Sequence, residues 1–122
     1  MNPILIAEDE PILARNLGTV LNRAGYPVQV VNSFRAGIEA VAQSRFSMIC
    51  ADINLGDGCG LALSKRAREA MPDVPIILMT GRDLGTYRQA AVAIHAAFLA
   101  KPFALSEFRE IVSNQLPDAL RL

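Results

Sequence analysis

Five short apolar runs punctuate this chain, and each is followed by a longer segment of helical periodicity. The runs are Ile4-Leu5-Ile6-Ala7, Val28-Gln29-Val30-Val31, Ser47-Met48-Ile49-Cys50-Ala51, Pro75-Ile76-Ile77-Leu78-Met79 and Ala97-Phe98-Leu99-Ala100. Runs this short and this apolar read as strands buried on both faces, the mark of parallel strands joined by crossover helices. Alternation of this kind predicts an α/β fold, one parallel sheet with helices on both faces. The run carrying Gln29 reads as an edge strand.

The intervening segments carry helix signals. Pro11 suits a first turn, and Leu13, Leu17, Val20, Leu21 and Ala24 share one face of the helix that follows. Gly25 reads as its C-cap and Pro27 blocks continuation. Ser33 is predicted to cap a second helix bearing Ile38 and Val41. The third strand is predicted over Phe46 to Ala51. A loop, Gly56-Asp57-Gly58-Cys59-Gly60, then leads into a third helix ending before Pro72. The fourth helix is predicted to begin around Arg82 or Asp83 and to run into an alanine-rich stretch, Gln89 to Ala97. The last helix runs from Leu105 to Leu116, with Leu105, Phe108, Ile111 and Val112 apolar.

Composition bounds the function. With 122 residues, 52% of them hydrophobic, the chain is of the size of one domain with a real core. Twelve basic residues balance twelve acidic ones, so no net field draws nucleic acid or an anionic membrane. No apolar stretch approaches a membrane span, and the N-terminus lacks the basic head and cleavage site of a signal peptide. Cys50 in an apolar run and Cys59 in a glycine-rich loop fit a reducing cytoplasm better than a disulfide scaffold.

Polar residues close four of the five runs: Glu8 and Asp9 after the first, Asp52 after the third, Thr80 after the fourth and Lys101 after the fifth. In an open parallel sheet these positions gather at one edge, where such sheets bind ligands. Adjacent carboxylates repel unless a cation lies between them, and Mg²⁺ takes oxygen ligands together with phosphate oxygens. Asp52 is a third candidate ligand on that ion, and a carboxylate can also attack phosphorus. Thr80 offers a hydroxyl to a phosphoryl oxygen, with Gly81 letting backbone approach, and Lys101 offers a mobile point charge. Each also has an ordinary explanation. Acids favour a helix N-terminus, Asp begins turns, Thr caps helices, and most lysines are solvated. His95 reads as a packing or surface residue, and Arg66/Arg68 and Arg82/Arg88 read as solvated helix faces too dispersed for nucleic acid.

Taken together, Glu8-Asp9, Asp52, Thr80 and Lys101-Pro102-Phe103 resemble, in order and spacing, the receiver domain of two-component response regulators. The resemblance covers nearly the whole chain and implies a single receiver domain over residues 1–122. It implies a three-layer, flavodoxin-like sheet of five parallel strands in the order 2-1-3-4-5 with five helices; the chemotaxis receiver is a standard example of that order. By position, Asp52 resembles the phosphoacceptor, Glu8 and Asp9 the metal-binding acids, and Asn54 the residue whose backbone carbonyl meets Mg²⁺. Lys101 resembles the phosphate-contacting lysine, Thr80 the switch hydroxyl and Phe98 the aromatic that turns inward on activation.

The implied event is phosphoryl transfer to Asp52 from a phosphohistidine of a sensor histidine kinase or a histidine phosphotransfer protein. Self-catalysed hydrolysis then resets the switch, so the chain is a regulatory phosphoacceptor and not an enzyme acting on an outside substrate. The implied output is a changed helix 4/strand 5/helix 5 surface. It is read by an effector protein or by an output domain, with no direct nucleic-acid or membrane contact. The chain closes soon after its last helix, as a free-standing receiver or one cut from a longer regulator would.

Some positions depart from the family pattern. Gly56 stands where proline is frequent, which implies a more mobile loop. Ile94-His95 stands where Gly-Ala is frequent. Ala104 replaces the usual capping Asp or Ser, and Arg82 lies where the family tunes water access. Alternative readings are a phosphorylation-independent interaction module of the same fold, a flavin carrier and a haloacid-type phosphatase. The carrier needs a Ser/Thr/Gly phosphate loop where this chain has acids. The phosphatase needs an Asp where this chain has Asn54.

Overall fold

The computed structural model describes residues 1–81 and 84–116, Leu84 by its backbone alone. Strands and helices alternate: β1 (Ile4–Ala7), α1 (Pro11–Arg23), β2 (Val28–Val31), α2 (Phe34–Gln43), β3 (Met48–Asp52), α3 (Gly60–Ala70), β4 (Ile76–Thr80), α4 (Leu84–Ala93), β5 (Ala97–Ala100) and α5 (Leu105–Gln115). The strands are parallel and lie in the order β2-β1-β3-β4-β5, the expected flavodoxin-like arrangement. β2 is an edge strand, as Gln29 suggested, and β5 is the other.

Every residue of β1, β3 and β4 is buried. Side chains alternate along each strand and so supply two separate cores. Ile4, Ile6, Met48, Cys50, Ile77, Met79 and Leu99 pack against Leu17 and Leu21 of α1 and Phe108 and Val112 of α5. Leu5, Ala7, Ile49, Ala51, Ile76 and Leu78 pack against Val41 of α2, Leu63 of α3 and Ala91 of α4. Burial of each large aliphatic side chain contributes about 1.5–3 kcal/mol before chain entropy is counted. These two layers hold the strand ends, and with them the polar edge, in register.

Element boundaries differ from the sequence expectation by one to four residues, for identifiable reasons. Proline has no N–H to donate, so β4 begins at Ile76, and Pro75 serves only as an acceptor for Ile49 N–H at 2.9 Å. At the other end the ladders continue through the polar residues, with Asp52 opposite Met79 and Thr80 opposite Ala100. The cap of α1 is Ala24, followed by Gly25 at φ 96°. Helix α4 ends at Ala93, ahead of His95, which is exposed at φ 56°. The reading of Thr80 as a cap for α4 turns on residues 82 and 83 and lies outside the described residues. The expected start of that helix at Arg82 or Asp83, and the expected role of Arg82, lie outside the described residues.

Candidate functional site

Pleating decides which polar residues meet. Ile4, Ile6 and Glu8 follow one parity, as do Met48, Cys50 and Asp52, and Leu99 and Lys101. All three series belong to the face covered by α1 and α5. Main-chain bonding persists just past the strands: Glu8 N–H donates to Val31 O at 3.1 Å and Lys101 N–H to Thr80 O at 2.8 Å. Glu8, Asp52 and Lys101 therefore converge. Lys101 Nζ donates to Glu8 Oε1 at 2.7 Å and to Asp52 Oδ2 at 2.7 Å. The second oxygen of each acid is also used. Glu8 Oε2 accepts from Glu10 N–H at 3.2 Å and Asp52 Oδ1 from Asn54 N–H at 3.0 Å.

The electrostatics follow from burial. Glu8 is 0% exposed. Loss of water pushes its carboxyl up to about 7, and the charge of Asp52 adds to this, against the opposing bonds from Lys101 and Glu10. For Lys101, burial acts to lower the pKa, but the carboxylates of Asp52 and Glu8 outweigh it and hold the ammonium above the ordinary lysine value.

Glu8, Asp9, Asp52, Asn54, Thr80 and Lys101 line one cleft of about 250 Å³. Glu8, Asp9 and Asp52 each offer an oxygen, and these atoms lie within 4.8 Å of one another. Three hard oxygen donors at that spacing suit a hard divalent cation better than a thiophilic metal. Thr80 is 2% exposed and has the opposite parity, in line with Ile76 and Leu78. It thus reaches the cleft from the sheet face covered by α2, α3 and α4. Phe98 lies opposite Leu78 on that same face and is half-buried there.

Behind Asp52 the chain comes too close for any side chain. A Cβ on Gly60 would stand 2.0 Å from the Asp52 carbonyl oxygen. Beside the cleft runs a groove of about 470 Å³ lined by Glu10, Leu13, Gly81, Lys101, Pro102 and Phe103, and the Lys101–Pro102 bond is cis.

The structure revises three readings. The loop after Asp52 was expected to be loose without a proline at Gly56. Instead Asp57 fastens it to α2, accepting from Phe34 N–H at 2.7 Å and Arg35 N–H at 3.1 Å. No local pattern announces this contact, because donor and acceptor are 22 and 23 residues apart. Arg68 is not merely solvated. It donates to Ile94 O at 3.0 Å, to Pro72 O at 2.9 Å and to Val74 O. Arg88 lies over the Phe98 ring, 5.7 Å from its centroid.

This fold and this acidic edge define a class. Residues 4–113 match the family model described as the response regulator receiver domain, and the chain belongs to that family. It is 32% identical over 124 residues to the response regulator receiver protein CpdR of Brucella abortus, covering 95% of this chain and 98% of that one. It is 33% identical over 105 residues to the uncharacterized transcriptional regulatory protein YkoG of Bacillus subtilis, covering 85% of this chain and 46% of YkoG. The chain thus spans about half the length of YkoG and of other curated regulators that it matches. Among solved structures, it resembles a response regulator protein from Burkholderia pseudomallei with a phosphorylated aspartic acid, calcium ion and citrate. The TM-score is 0.81 and the identity 27%, over 99% of this chain and 70% of that one.

Proposed function

We propose that the cleft accepts a phosphoryl group onto Asp52 from a phosphohistidine of a sensor histidine kinase or a histidine phosphotransfer protein. The observation that carries this reading is the Lys101 ammonium, 2.7 Å from both Asp52 and Glu8. A carboxylate nucleophile and an anionic donor repel each other, and a cation at bonding distance reduces that repulsion. In the transfer an Asp52 oxygen bonds to phosphorus as the phosphorus–nitrogen bond to the donor imidazole breaks, and the departing ring nitrogen takes a proton. The groove beside Lys101 gives a donor side chain a route to the cleft.

Glu8, Asp9, Asp52 and the Asn54 backbone carbonyl would hold Mg²⁺. When bound, it supplies charge neutralisation at the phosphoryl oxygens. The calcium ion and phosphorylated aspartic acid of the Burkholderia protein support a cation and an acyl phosphate on this fold.

Transfer adds negative charge and acceptor oxygens beside Lys101 and Thr80. Lys101 exchanges part of its carboxylate contact for them, and the Thr80 hydroxyl donates to one of them. Withdrawal of Thr80 from the face that it shares with Phe98 leaves room for the ring to turn inward, away from Arg88. The α4–β5–α5 surface changes, and an effector or an output domain reads the change. Hydrolysis of the aspartyl phosphate restores the first state. Incubation with acetyl phosphate tests this. Label incorporation that requires Mg²⁺ and disappears in Asp52→Asn supports the reading, and uptake by Asp52→Asn at the wild-type rate refutes it.

A further inference from the structure

Asp57 lies at the tip of the loop between β3 and α3, yet its carboxylate serves another element. The N–H groups of Phe34 and Arg35 that it accepts open α2 and have no partner within that helix. Ser33 satisfies the next free donor, accepting from Ala36 N–H at 3.0 Å. The two amides, Phe34 first, hold the Asp57 carboxyl below its ordinary range. The contact is charge-assisted and sits at the positive end of the helix dipole. Packing reinforces it, since a Cβ on Gly58 would stand 2.3 Å from Cγ of Phe34.

The loop is also closed upon itself. Gly60 N–H donates to Ile53 O at 2.7 Å, Leu55 N–H donates to Gly58 O at 3.1 Å, and Asn54 pairs with Cys59. Inside it, Asn54 N–H donates to Asp52 Oδ1 at 3.0 Å and Gly56 N–H to Asn54 Oδ1 at 3.3 Å. A loop closed at its base and fastened at its tip has few ways to move.

Resting on the reading that the three acids and the Asn54 carbonyl hold Mg²⁺, we infer that Asp57 is a positioning residue. By clamping the loop to the start of α2, it fixes Asn54 for the cation. It does for this chain, with Gly56 at φ 77°, what a rigid residue in the loop would otherwise do.

The test is a titration of Mg²⁺ into the full isotope-labelled chain, followed by amide NMR. In the wild type the Phe34 and Arg35 amides shift with the same midpoint as the cleft residues, because Asp57 joins them to the loop. Asp57→Ala weakens Mg²⁺ binding by about fivefold or more and silences the Phe34 and Arg35 response. Gly58→Ala, which forces the loop off Phe34, weakens binding by an independent route. Asp57→Asn keeps one acceptor oxygen and falls between. Ser33→Ala removes a cap of the same helix without touching the loop and leaves Mg²⁺ affinity unchanged. Wild-type affinity in Asp57→Ala overturns the inference alone, as does an equal loss in Ser33→Ala. A wild type that takes up no Mg²⁺ overturns this inference together with the reading beneath it.

Discussion

Glu8 concentrates the energetics of the site in one side chain. Its carboxyl has no exposure, shares a lysine with Asp52 and titrates near 7 against an ordinary 4.5. The folded chain therefore binds this proton more tightly than the unfolded chain does. The stability it contributes is fully present below about 4.5 and is lost as pH rises through about 7. A metal ligand must be deprotonated, so Mg²⁺ held as proposed would compete with that proton. Mg²⁺ affinity measured by calorimetry is expected to be about tenfold weaker at pH 6 than at pH 8, with a proton released on binding at the lower pH. A flat pH profile would place the cation elsewhere. Lys101 is the second critical residue. Replacing Lys101 with Met leaves two acids facing each other, relieved in part by protonation of Glu8. A loss of about 2 kcal/mol in urea unfolding at pH 8 is expected, below the full cost of breaking a buried ion pair because the lysine is partly exposed.

At the level of elements, the helix ends carry information that the apolar pattern does not. Ala104 stands at the start of α5, where the family pattern has a capping Asp or Ser. It lacks a capping side chain, but Glu107 reaches back and accepts from Ala104 N–H at 2.9 Å, half of a capping box. Glu107→Ala is expected to cost about 0.5–1 kcal/mol, and Ala104→Ser to add about as much by supplying the missing half, both read from urea midpoints. No change in either variant would mean that tertiary packing through Phe108 and Val112 alone sets that end. The strands were legible because burial on both faces demands unbroken apolar runs, and Ser33 was legible because a cap lies within three residues of its donor. The Asp57 cap on α2, the Arg68 bonds to Ile94 and Val74 and the Arg88 contact with Phe98 were not. Each joins residues whose neighbours in sequence leave no periodic trace. The strand limits at Asp52 and Thr80 were misread by one residue because polarity suggests an ending where the ladder continues.

For the whole molecule, one geometric fact organises the rest. A parallel sheet brings the C-terminal ends of β1, β3, β4 and β5 to one edge, and pleating sorts what stands there. Glu8, Asp52 and Lys101 fall on the α1/α5 side and bond directly. Thr80 and Phe98 fall on the opposite side, against the core shared with α2, α3 and α4. Convergence of the five polar residues was readable from their place after apolar runs. Their division between the two faces was not, since it depends on strand register. That division separates the group proposed to receive charge from the pair proposed to report it. The most direct test of the central claim is chemical mapping of the modified residue. The chain is treated with acetyl phosphate and Mg²⁺, reduced with borohydride and digested, and the peptides are sequenced by mass. The account predicts homoserine at position 52 alone, formed only when Mg²⁺ was present. Homoserine at Asp9 or elsewhere, or reduction that proceeds equally without Mg²⁺, would contradict it.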